Sequence, residues 1–506
     1  MNRPSELRGV ALDPESNEAL VEKYGAIGYA AQSNALSHPD RLATAAALFG
    51  LAPPSVATAR VLEIGCSDGA NLLPMAAGLP DATFVGCDLS PEAIAIARGA
   101  VAATRLENIA FIEGDLCALP EALDRFDFVI AHGVYSWVPA PVRDALLALG
   151  AKCLSPNGLM FVSYNVYPGC HVRRAVWDAL RFHVRNLETA RERLDAARSL
   201  ASGLAQPGRT QNETDALLRR EFARVAAVTD SALFHDDLAL PNEPVWFHEF
   251  AAHARSRGLA YVTEAKLFQS SALGLAPAMH AFLAGADRVE REQYLDFAVC
   301  RRFRQSVLAR AEGASVLAWT PERALTMHAA ASHSLLRAVE KNTPLLNPTR
   351  PALDAAHAAT LRRVLDRLLE IAPRSLPVTD LQARFGGSMS APSFAATIAD
   401  ACVADELLLH VHPPRLSETP GERPLASAVA RWQAARGATV TNLEHEPLQI
   451  VETPPRALLS LLDGKRDAPA LDAAVGPALA IDEPAARRRR IDQYVRQFAR
   501  LGLLIA

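Results

Sequence analysis

Short apolar segments alternate with helix-like amphipathic segments over residues 59–168. The apolar segments have the length and composition of buried strands, and they cover residues 60–64, 82–87, 109–113, 126–131 and 159–164. The segments between them have helical spacing, and Ser90 and Pro91 supply a capping residue and a first-turn proline for one of them. Because strands and helices that alternate in this way form parallel sheets covered on both faces, we expect an α/β domain.

The pattern changes after Gly169 and later changes back. Residues 172–230 are rich in Ala, Leu, Arg and Glu at helical spacing and carry no strand signal. Strand-like segments return at 259–267 and 301–310. We predict that these two strands complete a seven-stranded sheet. Residues 172–240 would then be a helical insertion, or regulatory segment, that caps the site.

The two ends of the chain complete the predicted organisation. Residues 1–58 are expected to form a helical, partly flexible approach segment, within a first domain that spans 1–312. Residues 313–344 are interpreted as a linker, and 345–506 as two tandem winged-helix-like units in which helices run into a short terminal strand. A proline-rich segment at 413–424 separates the two units.

Composition and charge narrow the class of protein. Half of the 506 residues are hydrophobic and 21% are charged, which is typical of a packed globular protein. The net charge of −4 argues against a nucleic-acid partner. No apolar run is long enough to span a bilayer and the first residues lack a secretory signal, so we expect a cytoplasmic protein without membrane insertion. The seven cysteines are dispersed without a C-x-x-C pair, which favours reduced thiols and no metal site.

A glycine turn carries the clearest chemical signal. The stretch V-L-E-I-G-C-S-D-G-A-N occupies 61–71, and its E-x-G-x-x-x-G spacing differs from the G-x-G-x-x-G of dinucleotide sites. Gly65 and Gly69 allow the backbone to approach a ligand closely because they lack Cβ. Glu63 suits a ligand ammonium, and Asp88, 19 residues after Gly69, suits ribose hydroxyls. The combination favours S-adenosylmethionine over a nicotinamide cofactor.

Neighbouring strand ends complete the predicted cofactor set. Asp115 and its apolar neighbour Leu116 follow the third strand, where an adenine amine needs an acceptor. His132 follows the fourth strand and is expected to line the cofactor pocket, with a role as base as the alternative. The remaining members flank these groups and are Cys66, Asn71 and Leu89.

Aromatic residues follow the fourth and fifth strands, beside the place where the reactive methyl would lie. Tyr135 and Trp137 belong to A-H-G-V-Y-S-W-V-P (131–139), and Tyr164 and Asn165 begin Y-N-V-Y-P-G. Aromatic faces exclude water and tolerate a cationic product, so these four residues are the candidate catalytic groups. The alternative is that the rings pack beneath the insertion.

Several motifs together resemble methyltransferases that carry a methyltransferase regulatory domain, among them rickettsial protein lysine methyltransferases that modify outer-membrane proteins. The resemblance covers most of residues 20–310, and L-L-D-G-K-R-D at 461–467 is similar to the winged-helix-like end of the same proteins. The motifs are H-P-D-R-L-A (38–43), E-I-G-C-S-D-G-A-N-L-L-P-M-A (63–76), H-G-V-Y-S-W-V-P (132–139), Y-N-V-Y-P-G (164–169), N-E-P-V-W-F-H-E-F (242–250) and Y-L-D-F-x-x-x-R-R-F-R-Q-S (294–306).

The resemblance implies a Rossmann-like seven-stranded class I methyltransferase sheet with a helical insertion, followed by an α+β winged-helix-like region. It implies S-adenosylmethionine as cofactor, a protein lysine as acceptor, a surface or outer-membrane protein as substrate, and a homodimer. Ser37 and His38 match a segment that closes over the cofactor. Cys170 departs from the family, which has an aromatic residue there. A small-molecule N- or O-methyltransferase and a non-catalytic protein that senses the cofactor are the alternatives.

Overall fold

The computed structural model describes residues 31–118, 124–208, 212–314, 317–346, 353–417 and 419–506. Most of the predicted approach segment, residues 1–30, lies outside the described residues. Its remainder contains a 3-10 turn, Ala35–Ser37, and a helix, Pro39–Leu48, which begins with the side chain of His38 as its cap.

A seven-stranded sheet forms the centre of the protein, with the strand order β3-β2-β1-β4-β5-β7-β6. The first five strands run parallel, whereas β7 is antiparallel to both β5 and β6. The last two strands therefore complete the sheet, as the sequence predicts. The strands are β1 (Arg60–Ile64), β2 (Thr83–Asp88), β3 (Ile109–Glu113), β4 (Phe126–Ala131), β5 (Leu154–Asn165), β6 (Leu259–Glu264) and β7 (Phe303–Arg310).

Alternate strand residues enter two separate apolar cores, one on each face of the sheet. Val61 packs on the side of the helices near the N-terminus, and Leu62 packs on the opposite side. This alternation follows from the period of two along a strand. The helices on the first side are Pro39–Leu48, Leu72–Gly78 and Pro91–Thr104, and those on the second include Ala140–Cys153 and Phe247–Ser256.

The predicted insertion is helical and has an apolar core of its own. Val176, Leu194 and Phe222 belong to this core, and the buried Trp177 donates a hydrogen bond to Asp237. Its longer helices are Gly169–Val184, Ala190–Leu204 and Glu213–Ala227. Two further helices, Pro277–Gly285 and Arg288–Val299, lie between β6 and β7.

The first C-terminal unit begins earlier than the sequence predicts. Strand β8 (His328–Ala331) pairs with β9 (Ser375–Pro377) and β10 (Leu407–His410) in a three-stranded sheet. The assignment of 313–344 as a linker is therefore wrong for β8 and for the helix that follows it. The helices of this unit are His333–Glu340, Ala355–Ile371, Val378–Phe385 and Ala391–Val403.

The second C-terminal unit is built on a hairpin of β11 (Thr439–Thr441) and β12 (Pro447–Gln449). Its helices are Ala428–Ala434, Thr453–Leu461, Ala468–Val475 and Pro484–Arg500. The chain ends in isolated bridges at Leu504 and Ile505, which fits the predicted short terminal strand. No helix of the described residues has the length and apolarity needed to cross a membrane.

The helix Pro39–Leu48 joins the sheet to the C-terminal units. Asp40 accepts hydrogen bonds from His410 Nδ1 and from the backbone N–H of His412, both at 2.7 Å. The backbone N–H of Val411 donates to Thr44 Oγ1. Since Asp40 and His410 are both buried, this hydrogen bond fixes β10 against the segment that precedes the glycine turn.

Candidate active site

The turn after β1 requires its glycines. Gly65 and Gly69 have φ values of +73° and +78°, in the left-handed region that residues with a Cβ rarely adopt. A Cβ on Gly65 would lie 2.6 Å from Val134 Cγ2, and one on Gly69 would lie 2.5 Å from Phe111 Cζ. The backbone at this turn therefore approaches its neighbours more closely than any other residue would allow.

Asp88, at the end of β2, holds the glycine turn in place. Its two carboxylate oxygens accept hydrogen bonds from the backbone N–H of Ser67 at 2.8 Å and of Ser90 at 2.9 Å. Burial raises the pKa of Asp88, and these backbone donors act against the rise. The carboxylate keeps further acceptor capacity at the strand end, where the sequence predicts the ribose.

The next strand end presents a second carboxylate. Asp115 accepts a hydrogen bond from the backbone N–H of Cys117 at 2.8 Å, and Leu116 and Leu89 are half-buried nearby in the chain. Because β2 pairs with β3 in parallel, Asp88 and Asp115 end neighbouring strands. The buried Cys66 lies beneath the turn, with its Sγ against Gly86.

Glu63 has one carboxylate oxygen without a partner. Its Oε1 accepts a hydrogen bond from Asn71 Nδ2 at 2.7 Å, whereas its Oε2 has no hydrogen-bond partner in the described parts of the chain. Burial raises the pKa of Glu63 to about 8, and the neighbouring carboxylates Asp88 and Asp68 add to the rise. A buried, half-satisfied carboxylate of this kind is stabilised when a cationic group binds to it.

The N-terminal segment and His132 close one side of the turn. Ser37 Oγ lies 3.0 Å from Asn71 Nδ2, and Asn34 Nδ2 lies 3.3 Å from His132 Nδ1. His132 also hydrogen-bonds Ser163 Oγ at 2.9 Å, and burial lowers its pKa to about 4. The imidazole is therefore neutral at physiological pH.

His38 lies apart from this network. Its Nδ1 accepts the backbone N–H of Asp40 as a helix cap, and burial lowers its pKa to about 4. The side chain borders a smaller cavity beside His410 rather than the one at the glycine turn. The prediction that His38 binds the cofactor directly is not supported by this placement, whereas Ser37 contacts a residue of the turn.

A cavity of about 830 Å³ opens at the glycine turn and extends to both C-terminal units. Such a volume is in the usual range for ligand pockets. The cofactor side of its wall is formed by Glu63, Gly65, Cys66, Ser67, Asn71 and His132. The opposite side is formed by residues that include Lys266, His333, Arg337, Asp405 and Glu446, and Arg41 also lines the cavity.

These groups fit S-adenosylmethionine. The open oxygen of Glu63 suits the ammonium of its amino-acid tail, and the glycine turn leaves room for that tail against the backbone. Asp88 and Asp115 do not belong to the wall of this cavity, but they lie at the neighbouring strand ends where the nucleoside belongs in such folds. Among the described residues, no group of three or more His, Cys, Asp and Glu side chains could hold a metal ion.

Two of the four candidate catalytic residues, which the sequence predicts beside the acceptor, pack in the core and do not belong to the wall of this cavity. Tyr164 is fully buried, its ring stacks on Phe250 at 3.9 Å, and its hydroxyl lies 2.9 Å from Ser306 Oγ. Tyr135 is also buried and hydrogen-bonds His253 Nδ1 at 2.9 Å. These rings stabilise the contact between the sheet and the helix Phe247–Ser256.

The other two candidates also lie away from the cavity wall. Asn165 is buried and donates a hydrogen bond to Asn242 Oδ1 at 2.9 Å, and Trp137 is half-buried in a single 3-10 turn. Neither belongs to the wall of the cavity at the glycine turn. Cys170 is buried too, with its Sγ 3.2 Å from the Arg302 carbonyl, so this departure from the family affects packing.

Three residues of the site were missed in the sequence. Asn34 and Ser163 contact His132, and His445 of the second C-terminal unit contacts Asn71. The two polar side chains near His132 have no motif of their own. His445 is separated from Asn71 by 374 positions, so no local pattern could connect them.

Three family models match separate parts of the chain. A methyltransferase domain matches residues 61–158, a "predicted methyltransferase regulatory domain" matches 229–310, and a "PKMT, C-terminal winged helix domain" matches 422–490. The regulatory model contains β6 and β7 and overlaps the predicted insertion only at 229–240. The family's regulatory domain is therefore mostly the end of the sheet.

Two proteins of Rickettsia prowazekii (strain Madrid E) are similar in sequence. Uncharacterized protein RP028 is 32% identical over 224 residues, which are 44% of this chain and 89% of that protein. Uncharacterized protein RP789 is 35% identical over 288 residues, which are 56% of this chain, and the chain spans about half (52%) of its length.

The fold is similar to a solved structure, that of PKMT2 from Rickettsia typhi in complex with AdoHcy. The TM-score is 0.80 with 24% sequence identity, and the match covers 94% of this chain and 100% of that one. At this identity the likeness supports the fold, which includes the sheet, the helical part and the C-terminal units.

Proposed function

Because the chain belongs to the family of S-adenosylmethionine-dependent methyltransferases that carry a methyltransferase regulatory domain, we propose that it methylates the ε-amine of a lysine in a protein. A protein acceptor is supported by the charged cavity that continues from the glycine turn to both C-terminal units. The likeness to rickettsial PKMT proteins supports the same acceptor.

S-adenosylmethionine supplies an electrophilic methyl group on its sulfonium. The chain's own residues bind the cofactor and orient it for transfer. Glu63 would hold the ammonium of the tail, and the glycine turn would hold the tail against the backbone. Asp88 fixes the turn and would accept from the ribose. Positioning of this kind accelerates a bimolecular transfer because the reactants are already aligned.

The acceptor amine must be neutral when it attacks. His132 is the imidazole on the cofactor side of the wall, and with a pKa of about 4 it is a weak base at neutral pH. We therefore propose that the lysine loses its proton to water, through the cavity, before transfer. Turnover should then increase with pH towards the pKa of lysine.

The charges of the cavity suggest what surrounds the acceptor lysine. Two of its acids are already paired, Asp405 with Lys266 at 2.8 Å and Glu446 with His333 at 3.4 Å. The guanidinium of Arg41 has no hydrogen-bond or ion-pair partner among the described residues, and the same holds for Arg337. Unpaired guanidinium groups favour carboxylates, so we propose an acceptor lysine that lies in an acidic segment.

The protein acceptor is tested by incubating the full-length protein with labelled S-adenosylmethionine and surface proteins of the source organism. The labelled peptides are then identified by mass spectrometry. We expect ε-methyl-lysine, with Asp or Glu near it, and no label after the lysines are blocked by acetylation. Label on small molecules alone would favour the small-molecule alternative. Cofactor binding without any transfer would favour the sensing alternative. The homodimer and the cytoplasmic location remain predictions.

A further inference from the structure

The tip of the β11–β12 hairpin enters the cofactor site. His445 lies at this tip and is 2% exposed, and its Nε2 is 2.8 Å from Asn71 Oδ1. Its ring is also 5.4 Å from that of His38. A residue of the second C-terminal unit is thus in direct contact with the turn that follows β1.

The hydrogen bonds of Asn71 fix the direction of its amide. Its Oδ1 accepts the backbone N–H of Asn34 at 2.9 Å, and its Nδ2 donates to Glu63 Oε1 at 2.7 Å. A backbone N–H can only donate, so the oxygen must face Asn34 and His445. His445 therefore carries its hydrogen on Nε2 and donates it to Asn71.

The hairpin tip is held rigidly in this position. His445 has a φ of +66°, which a residue with a Cβ adopts only when its surroundings enforce it. Asn442 enforces it, because its Oδ1 accepts the backbone N–H groups of Glu444 and Glu446 and its Nδ2 donates to the Leu501 carbonyl. The strained tip thus presents one donor to one acceptor in the cofactor site.

We propose that His445 is a positioning residue of the cofactor site. Its Nε2–H orients the Asn71 amide, and the amide in turn holds the Glu63 carboxylate at the place where the amino-acid tail of the cofactor binds. The second C-terminal unit is then part of the cofactor site, and displacement of its hairpin weakens binding of the tail. This inference depends on the cofactor and not on the identity of the acceptor.

The test is calorimetric binding of two ligands to the full-length protein. S-adenosylhomocysteine has the amino-acid tail, whereas 5′-methylthioadenosine has the same nucleoside without it. We expect His445→Ala to lower the affinity for S-adenosylhomocysteine by about tenfold, which corresponds to the loss of one buried hydrogen bond. The affinity for 5′-methylthioadenosine should change by less than about twofold. His445→Gln, which restores a donor, should recover most of the affinity.

Gln449→Ala is the matched control, since Gln449 is exposed on the same hairpin and bonds only Thr439 within it. It should leave both affinities unchanged. Equal losses for the two ligands in His445→Ala would show a merely structural role, and no loss for either would overturn the proposal. If His445→Ala fails to fold, His445→Phe replaces it, because Phe fills the space without a donor. Equal affinity of the Phe and Gln variants for S-adenosylhomocysteine would then contradict the inference.

Discussion

The cofactor side of the cavity and the opposite side, where we propose that the acceptor binds, are built in different ways. The cofactor groups Glu63, Gly65 and Asp88 lie on consecutive strands and turns within one β-α-β unit. The opposite wall comes from the loop after β6, from the first C-terminal unit and from the hairpin of the second, represented by Lys266, Arg337 and Glu446. One side is local in sequence, and the other is assembled by tertiary contacts.

The difference explains why only one side of the cavity has a recognisable pattern in the sequence. A ligand that binds along one turn imposes spacing on neighbouring residues, so its pattern is visible in the chain. An acceptor cavity that three distant regions share imposes no spacing. Aromatic residues near the end of β4 and β5 have the right composition for such a cavity, yet Tyr135 and Tyr164 pack into the core.

The largest effect is expected where the turn itself is changed. Gly65→Ala places a Cβ 2.6 Å from Val134 Cγ2, and the alanine must adopt the left-handed backbone conformation of the glycine. The two effects together should destabilise the native turn by about 2–5 kcal/mol. We expect affinity for S-adenosylhomocysteine to fall by about a hundredfold, measured by calorimetry. Gly78→Ala, where nothing lies within 4 Å of the added Cβ, should bind normally. Unchanged affinity of Gly65→Ala for S-adenosylhomocysteine would contradict the close approach of the turn's backbone to its neighbours and to the cofactor.

Asp88→Asn should have the next largest effect. Both carboxylate oxygens accept a backbone N–H, so the amide nitrogen of Asn would face one of these donors. The loss of a charged hydrogen bond corresponds to about 1.5–3 kcal/mol, or about 10–150-fold in affinity. Asp81→Asn, at an exposed position, serves as the calorimetric control. Unchanged affinity in Asp88→Asn would remove this residue from the site.

The protonation of Glu63 makes cofactor affinity depend on pH. With a pKa of about 8 in the free protein, Glu63 is protonated below pH 8 and must ionise to pair with the ammonium of the tail. Affinity for S-adenosylhomocysteine should therefore rise by up to about tenfold per unit between pH 6 and pH 8, with release of a proton. Glu63→Gln should bind weakly with a flat profile. A flat profile in the wild type would contradict the raised pKa.

The same carboxyl affects the stability of the cofactor-free protein with the opposite sign. Its pKa rises from 4.5 to about 8 on folding, so folding takes up a proton between these values. As the pH rises from about 4.5 to about 8, the free energy of unfolding of the wild type should therefore decline relative to that of Glu63→Gln. Denaturant titrations would measure this difference. Parallel pH profiles for the two proteins would show that Glu63 is ionised in the fold.

The smallest effects on catalysis are expected for the aromatic residues. Tyr164→Phe removes a buried hydroxyl that bonds Ser306, and should cost about 1 kcal/mol of unfolding free energy with kcat changed by less than about twofold. Tyr135→Phe should behave in the same way through the lost bond to His253. A large fall in kcat at unchanged stability would instead indicate that these residues act in catalysis beside the acceptor.

The sequence predicts the sheet because its strands are short apolar runs with helices between them. It does not predict β8, whose residues His328–Ala331 consist of one histidine and three alanines with little strand preference. That strand forms because β9 and β10 pair with it on both sides. Tertiary pairing outweighs local preference there.

In the site, sequence spacing places Glu63 and Asp88 at one turn, and the structure has both side chains there. It was insufficient for His445, whose partner Asn71 lies in a different domain. It also cannot show that the oxygen of Glu63 is unpaired or that its pKa is raised, since both follow from burial in the assembled structure.

The most direct test of the composite cavity is a comparison of kcat/KM for the methyl-accepting protein between Arg337→Ala and Trp137→Phe. Arg337 belongs to the distant wall, and Trp137 to the loop that the sequence favours. We expect Arg337→Ala to lower kcat/KM by about tenfold at unchanged affinity for S-adenosylhomocysteine, and Trp137→Phe to lower it by less than about twofold. A loss confined to Trp137→Phe would contradict the account.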